Sequence, residues 1–134
     1  MPNLRSRDAY RDAAWDWSCL DGCFSGSIRP TDIDGLVERK GHALFLEAKP
    51  PNGYLTVGQE LTFKSLSRKP LLCAIVFFGE DGKPPSIERI DLYQNGVCRS
   101  LGGASFGLLL EVVSSWYKHA DSGVQSEFEW RAHA

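Results

Sequence analysis

The sequence has no long apolar run, no large surplus of either charge and no CxxC cysteine pair. The longest apolar stretch, Leu71 to Phe78, falls far short of the roughly 20 residues that a membrane helix needs. No apolar segment follows the arginines near the start, so no secretory signal is expected and a cytoplasmic location is the expectation. Fifteen Lys and Arg oppose 17 Asp and Glu, a net charge of −2. That balance excludes gripping nucleic acid by bulk charge alone. It does not exclude a nuclease, because acids that hold a metal lower the sum and the metal offsets them locally.

The four cysteines carry little chemistry. Cys19 and Cys23 are spaced to share a helical face, as zinc or iron–sulfur ligands would, but Cys73 and Cys98 lie in unrelated strand-like contexts and no CxxC occurs. Cys73, inside "LLCAIVFF", reads as a small buried hydrophobe. His42, His119 and His133 have no metal spacing, and His42 is expected to be solvated in a turn. There is no G-x-S-x-G nucleophile elbow, and "GGASFG" reads as a plain loop. Repeats, low-complexity segments and linkers are also missing.

What remains suits one domain over 1–134, long enough for a core without disulfide or metal support. Residues 5–20 read as a helix ended by Gly22, with Tyr10, Ala13, Ala14 and Trp17 as its apolar stripe. "CFSGSIR" could hold a short strand. Strands are predicted at 32–38 and 42–49 with a turn around "RKG", and "PPNG" stops the second. Thr56 and Gln59 form a capping-box signature for a helix reaching about Ser67. "LLCAIVFF" fits a central strand buried on both faces, and "GEDGKPPS" a loop. "IERIDLY", Asn95–Gly96 and "VCRS" make a hairpin. A last helix is predicted over 105–119, with Leu108, Leu109, Val112, Val113 and Trp116 inward. The tail, about 121–134, is polar and expected to be loose. Trp15, Trp17 and Trp116 are expected in the core and Trp130 at the surface. The fold class is α/β, one mixed sheet flanked by helices.

The chemistry concentrates in "PTDIDGLVERKGHALFLEAKP". Side chains alternate along strands, so Leu44, Leu46 and Ala48 point one way and Ala43, Phe45, Glu47 and Lys49 the other. Pairing Glu38 with Ala43 sets Asp34 opposite Glu47 on the same face. A register shorter by two residues keeps the faces matched, and one shifted by a single residue mixes apolar with acidic side chains. Adjacent carboxylates repel unless a cation or proton intervenes, and hard divalent cations prefer oxygen ligands. The ammonium of Lys49 on that face would orient a water or stabilise charge on a phosphate oxygen, which points to phosphodiester hydrolysis. The plainer alternative is a solvated hairpin face with an exposed Glu–Lys pair.

An acid at the start of one strand followed by "LFLEAK" on the next resembles the PD-(D/E)XK nuclease superfamily. Glu47-Ala48-Lys49 matches its E-x-K element. Asp34 matches its first acid, although the preceding proline is displaced to Pro30 and Asp32 stands as second choice. Gln59 occupies the place of a site-holding glutamine on the following helix, with the capping box as its competing role. Acids on the first helix, Asp8, Asp12 and Asp16, are candidates where members usually carry glutamate, with Asp12 or Asp16 preferred. The resemblance spans about 5–80. It implies a restriction-endonuclease-like core (αβββαβ) with an added C-terminal hairpin and helix. It also implies Mg²⁺ or Mn²⁺ on Asp34, Glu47 and the Ala48 backbone carbonyl, with Asp34, Glu47, Lys49 and Gln59 catalytic. The expected protein is a nuclease, acting on DNA ahead of RNA. By resemblance it would suit a phage or mobile element and would be helped by homodimerisation. Lys64, Arg68 and Lys69 are the expected phosphate contacts, and no membrane partner is expected. The alternatives are a catalytically inactive relative that binds nucleic acid or a protein, for example as a host-defence inhibitor, and an unrelated α/β binding domain.

Overall fold

The computed structural model describes residues 15–131. The chain divides into two compact units, Met1–Asp32 and Ile33–Ala134. In the first unit Trp17–Cys23 form a 3-10 helix, capped where the Asp16 carboxylate accepts the Ser18 N–H at 3.0 Å. Of the helix expected at 5–20 and ended by Gly22, Trp15 and Asp16 are not helical, the 3-10 turn continues through Gly22, and 5–14 lie outside the described residues. The strand expected in "CFSGSIR" does not form; Phe24–Ser27 are bends and turns. None of the 3-10 residues is buried, and Trp15 and Trp17, expected in the core, are exposed and tilt against each other with ring centroids 6.4 Å apart. Cys19 and Cys23 are free and exposed.

The second unit is α/β. A mixed five-stranded sheet runs in chain order: β1 (Gly35–Arg39), β2 (His42–Lys49), β3 (Leu72–Glu80), β4 (Ser86–Gln94) and β5 (Val97–Ser100). Helix α1 (Val57–Leu66) connects β2 to β3, the only parallel neighbours, as a parallel pair requires a crossover. Helix α2 (Phe106–Asp121) follows β5. Both hairpin turns place two residues at positive φ, Lys40–Gly41 and Asn95–Gly96, which matches the right-handed twist of the strands they join. Among the described residues no helix is long and apolar enough to cross a membrane.

Strand alternation builds two cores. Leu44, Cys73, Ile75, Ile90 and Leu92 pack with Leu109, Val112, Trp116 and Ala120 of α2. Ala74, Val76, Phe78 and Tyr93 pack with Phe63 of α1 on the opposite face. β3 therefore contributes to both, as a fully apolar strand must. The ladder slips at Phe78/Gly79, where Glu88 is the extra residue in β4. That bulge lets Ile87 and Ile90, three apart, join the same core.

Three sequence expectations fail where the chain's end meets the sheet. The tail expected to be loose is anchored by Phe128 and Trp130, which join the α2-side core at 5% and 6% exposure. Gln94 donates to the Phe128 carbonyl and Arg99 to that of Trp130. Trp130 is thus buried rather than exposed. His42, expected in solvent, is buried, bonded at 2.7 Å to the Val124 carbonyl and set edge-on to His119. Burial of these two large aromatic groups outweighs the polar residues between them, at about 1.5–3 kcal/mol for a fully buried large apolar side chain.

Candidate active site

The register pairs Glu38 with Ala43, so Asp34 falls opposite Glu47. Asp34 sits in a bend one residue before β1 begins, not within the strand expected from residue 32. Its Oδ2 accepts the Ala48 N–H at 2.9 Å, and its own N–H approaches Glu47 Oε1 at 3.4 Å. The acid is thus tied to β2 by both backbone and side chain, while Oδ1 has no hydrogen bond among the described residues.

Glu47 and Lys49 point to the α1 face, along with Phe45. The strand ends at Lys49 because Pro50 and Pro51 cannot extend the ladder. A turn closed by Gly53 N–H on the Pro50 carbonyl at 2.8 Å follows. Thr56 then caps α1 by accepting the Gln59 N–H at 3.1 Å. This short link brings the first turn of α1 over the end of β2. Gln59 consequently bonds both to the cap and to the two charged side chains at the end of β2. Its Oε1 accepts the Thr56 N–H at 3.1 Å, completing the capping box, and also accepts Lys49 Nζ at 3.1 Å. Its Nε2 donates to Glu47 Oε2 at 3.2 Å, and Lys49 Nζ lies 3.4 Å from the same oxygen.

Glu47 is only 4% exposed. Burial raises its pKa above the ordinary value, and the charge of Asp34 raises it further. The Asp34 N–H and the Lys49 ammonium pull it the other way. Both effects disfavour two carboxylate charges here without a further cation. A hard divalent ion fits that donor set, since Mg²⁺ is commonly held by one or two carboxylates with waters and substrate oxygens. Among the described residues no group of three or more His, Cys, Asp or Glu could hold a metal. Beyond Asp34 and Glu47, ligands would have to come from the Ala48 carbonyl, water and substrate.

The other candidates lie elsewhere. Lys64 is paired to Glu60 at 3.0 Å within α1. Arg68 packs beside the Gly96 turn. The Lys69 carbonyl accepts the Leu72 N–H at 3.0 Å, and Leu72 pairs with Ala43, which is four residues or about 13 Å from Glu47 along β2. The structure therefore does not bring these three cations to the carboxylates. Asp12 lies outside the described residues, as does Asp8, and Asp16 is an exposed cap in the first unit. Asp32 is exposed at the end of that unit and makes no hydrogen bond among the described residues.

One feature of this face was missed in the sequence. Across the sheet, Glu47 pairs with Val76 and Val76 with Asp91; Lys49 pairs with Phe78 and Phe78 with Arg89. The signal was present in "IERIDLY", whose Arg89, Asp91 and Tyr93 alternate, but only the strand order shows that they extend the rows of Lys49, Glu47 and Phe45. Compared with protein-family models, curated proteins and solved structures, the chain matches none.

Proposed function

We propose that the protein is a Mg²⁺- or Mn²⁺-dependent nuclease with a restriction-endonuclease-like core, hydrolysing phosphodiester bonds in DNA ahead of RNA. The reading rests on one observation: Glu47, Lys49 and Gln59 are joined in a closed hydrogen-bond set directly beside Asp34, at the end of a strand. An incidental surface pair would leave glutamate and lysine solvated. Here Glu47 is buried and its charge is opposed by its surroundings.

Asp34 and Glu47, with the Ala48 carbonyl, would hold the ion. When bound, it would stabilise charge on the phosphoryl oxygens and lower the pKa of the attacking water. Lys49 has three donor positions, of which Gln59 and Glu47 occupy two. The third is left to align a water or a phosphate oxygen. Water adds to phosphorus, one bond to a sugar oxygen breaks, and the departing oxygen gains a proton.

The test is to incubate the protein with linear, circular and branched DNA and with RNA, in Mg²⁺, Mn²⁺ or EDTA. Wild type is expected to cut only with metal, and Glu47→Ala and Lys49→Ala to lose on the order of 100-fold or more. Cutting that survives both changes removes the site. Binding without cutting, indifferent to EDTA, favours an inactive nuclease-like module that holds nucleic acid.

A further inference from the structure

Arg89 is exposed, yet it is held in place. Its Nε donates to Asp91 Oδ1 at 3.0 Å and its Nη2 reaches Oδ2 at 2.9 Å, a two-pronged pair. Its guanidinium carbon lies 4.9 Å from the centroid of the Phe78 ring. Asp91 is 4% exposed, and Ser100 Oγ donates to its Oδ1 at 2.6 Å. The Arg89 side chain nevertheless keeps 58% of its surface in solvent. Burying a carboxylate is costly, and replacing such a pair with apolar groups is often neutral or better for stability. The arrangement makes sense if its product is a rigid cation whose outer edge stays free.

Arg89 lines a shallow groove of about 200 Å³ with Tyr54, Leu55, Glu60, Phe78 and Asp91, among others. Glu60 and Asp91 would repel an anion there, but Lys64 pairs with Glu60 at 3.0 Å and Arg89 with Asp91 at 2.9 Å. The groove lies on the α1 face, and Arg89 stands on the same cross-strand row as Lys49. Two strand spacings separate the two cations' backbones, about 10 Å. Tyr54, 79% exposed at the groove's edge, offers a ring for stacking.

We propose that Arg89 is a substrate-binding residue for the nuclease function: it receives a backbone phosphate next to the one cut at Lys49, and the strand lies across the sheet against Tyr54. Asp91 and Ser100 are positioning residues that act through Arg89. The proposal rests on the nuclease reading and adds to it a direction for the strand.

Binding of a short fluorescent DNA oligonucleotide is measured in Ca²⁺ as salt is raised, and cleavage kinetics in Mg²⁺, for wild type, Arg89→Gln, Arg89→Lys and Tyr54→Ala. Tyr54 is 79% exposed, so its removal takes nothing from the core, and circular dichroism checks the fold of every variant. Arg89→Gln is expected to weaken binding about tenfold, raise KM with little change in kcat, and reduce the salt slope by about one. Arg89→Lys recovers part of the loss, because an ammonium keeps the charge but not the fork. Tyr54→Ala weakens binding without altering the salt slope. Wild-type cleavage with an unchanged KM and salt slope in Arg89→Gln overturns this proposal and leaves the nuclease reading standing. Wild type that neither binds nor cuts nucleic acid overturns both.

Discussion

Gln59 lies over Glu47 and donates its amide Nε2–H to Oε2 at 3.2 Å, while the other end of the same amide accepts both Lys49 Nζ and the Thr56 N–H. One side chain therefore closes a helix cap and fixes the two charged groups of the site. The positive end of the helix dipole falls beside a buried carboxylate, where it favours the anion. The fold and the site share a part, and the two functions can be separated by mutation.

Thr56→Ala removes only the cap. It should cost about 1 kcal/mol of stability and leave kcat nearly unchanged. Gln59→Ala removes the cap's partner and two site contacts, and should cost about 1–2 kcal/mol and also depress metal-dependent cleavage. Urea melts and single-turnover rates on the same preparations decide it. If both variants lose stability and activity in the same proportion, Gln59 has only a structural role.

Much of this site could be read in the sequence because strand period and turn chemistry are local. The alternation of "HALFLEAK" selected a register in which Asp34 meets Glu47, and Thr56 with Gln59 marked the start of α1. What could not be read depends on contacts distant in the chain. The polar tail "DSGVQSEFEW" carries no periodic signal, yet Phe128 and Trp130 find the sheet through Gln94 and Arg99. His42 looked like a turn residue because nothing nearby reveals that Val124 and His119 cover it. Arg89 and Asp91 gained their meaning only from strand order.

The tail should be structural rather than dispensable. Phe128→Ala is expected to destabilise the protein by about 3–5 kcal/mol, the cost of removing a buried aromatic ring. His42→Leu should cost about 1–3 kcal/mol by leaving the Val124 carbonyl without its partner. Hydrogen exchange over residues 122–131 should rise in both. Unchanged exchange there would mean that the segment does not depend on these contacts.

Gly79 marks the point where β3 and β4 slip in register. A Cβ at that position would lie 1.9 Å from the Ser86 carbonyl oxygen, and backbone cannot yield as a flexible side chain can. Gly79→Ala should therefore cost at least the roughly 1–3 kcal/mol of an overpacked site. Gly22→Ala, where a Cβ would meet nothing within 4 Å, serves as the control. Equal melting temperatures for the two variants would exclude a tight bulge.

Glu47 gives a test of the site that needs no substrate. Burial first, then the charge of Asp34, hold its carboxyl above the ordinary value of 4.5. A carboxyl with a folded pKa above its unfolded one binds more protons when folded, so its contribution to stability falls as pH rises through that window. Glu47→Gln removes this dependence while keeping an oxygen that can accept from Lys49. The melting temperature of Glu47→Gln should therefore gain on wild type as pH rises above the ordinary carboxyl value of 4.5. A divalent cation between Asp34 and Glu47 reverses the balance, because it favours the ionised form. Mg²⁺ or Mn²⁺ at tenfold over its Kd should stabilise wild type by about 1.4 kcal/mol at neutral pH. The gain should shrink at low pH and in Asp34→Asn or Glu47→Gln. A wild type indifferent to millimolar metal, with the same pH profile as Glu47→Gln, would mean that the two carboxylates neither repel each other nor share an ion.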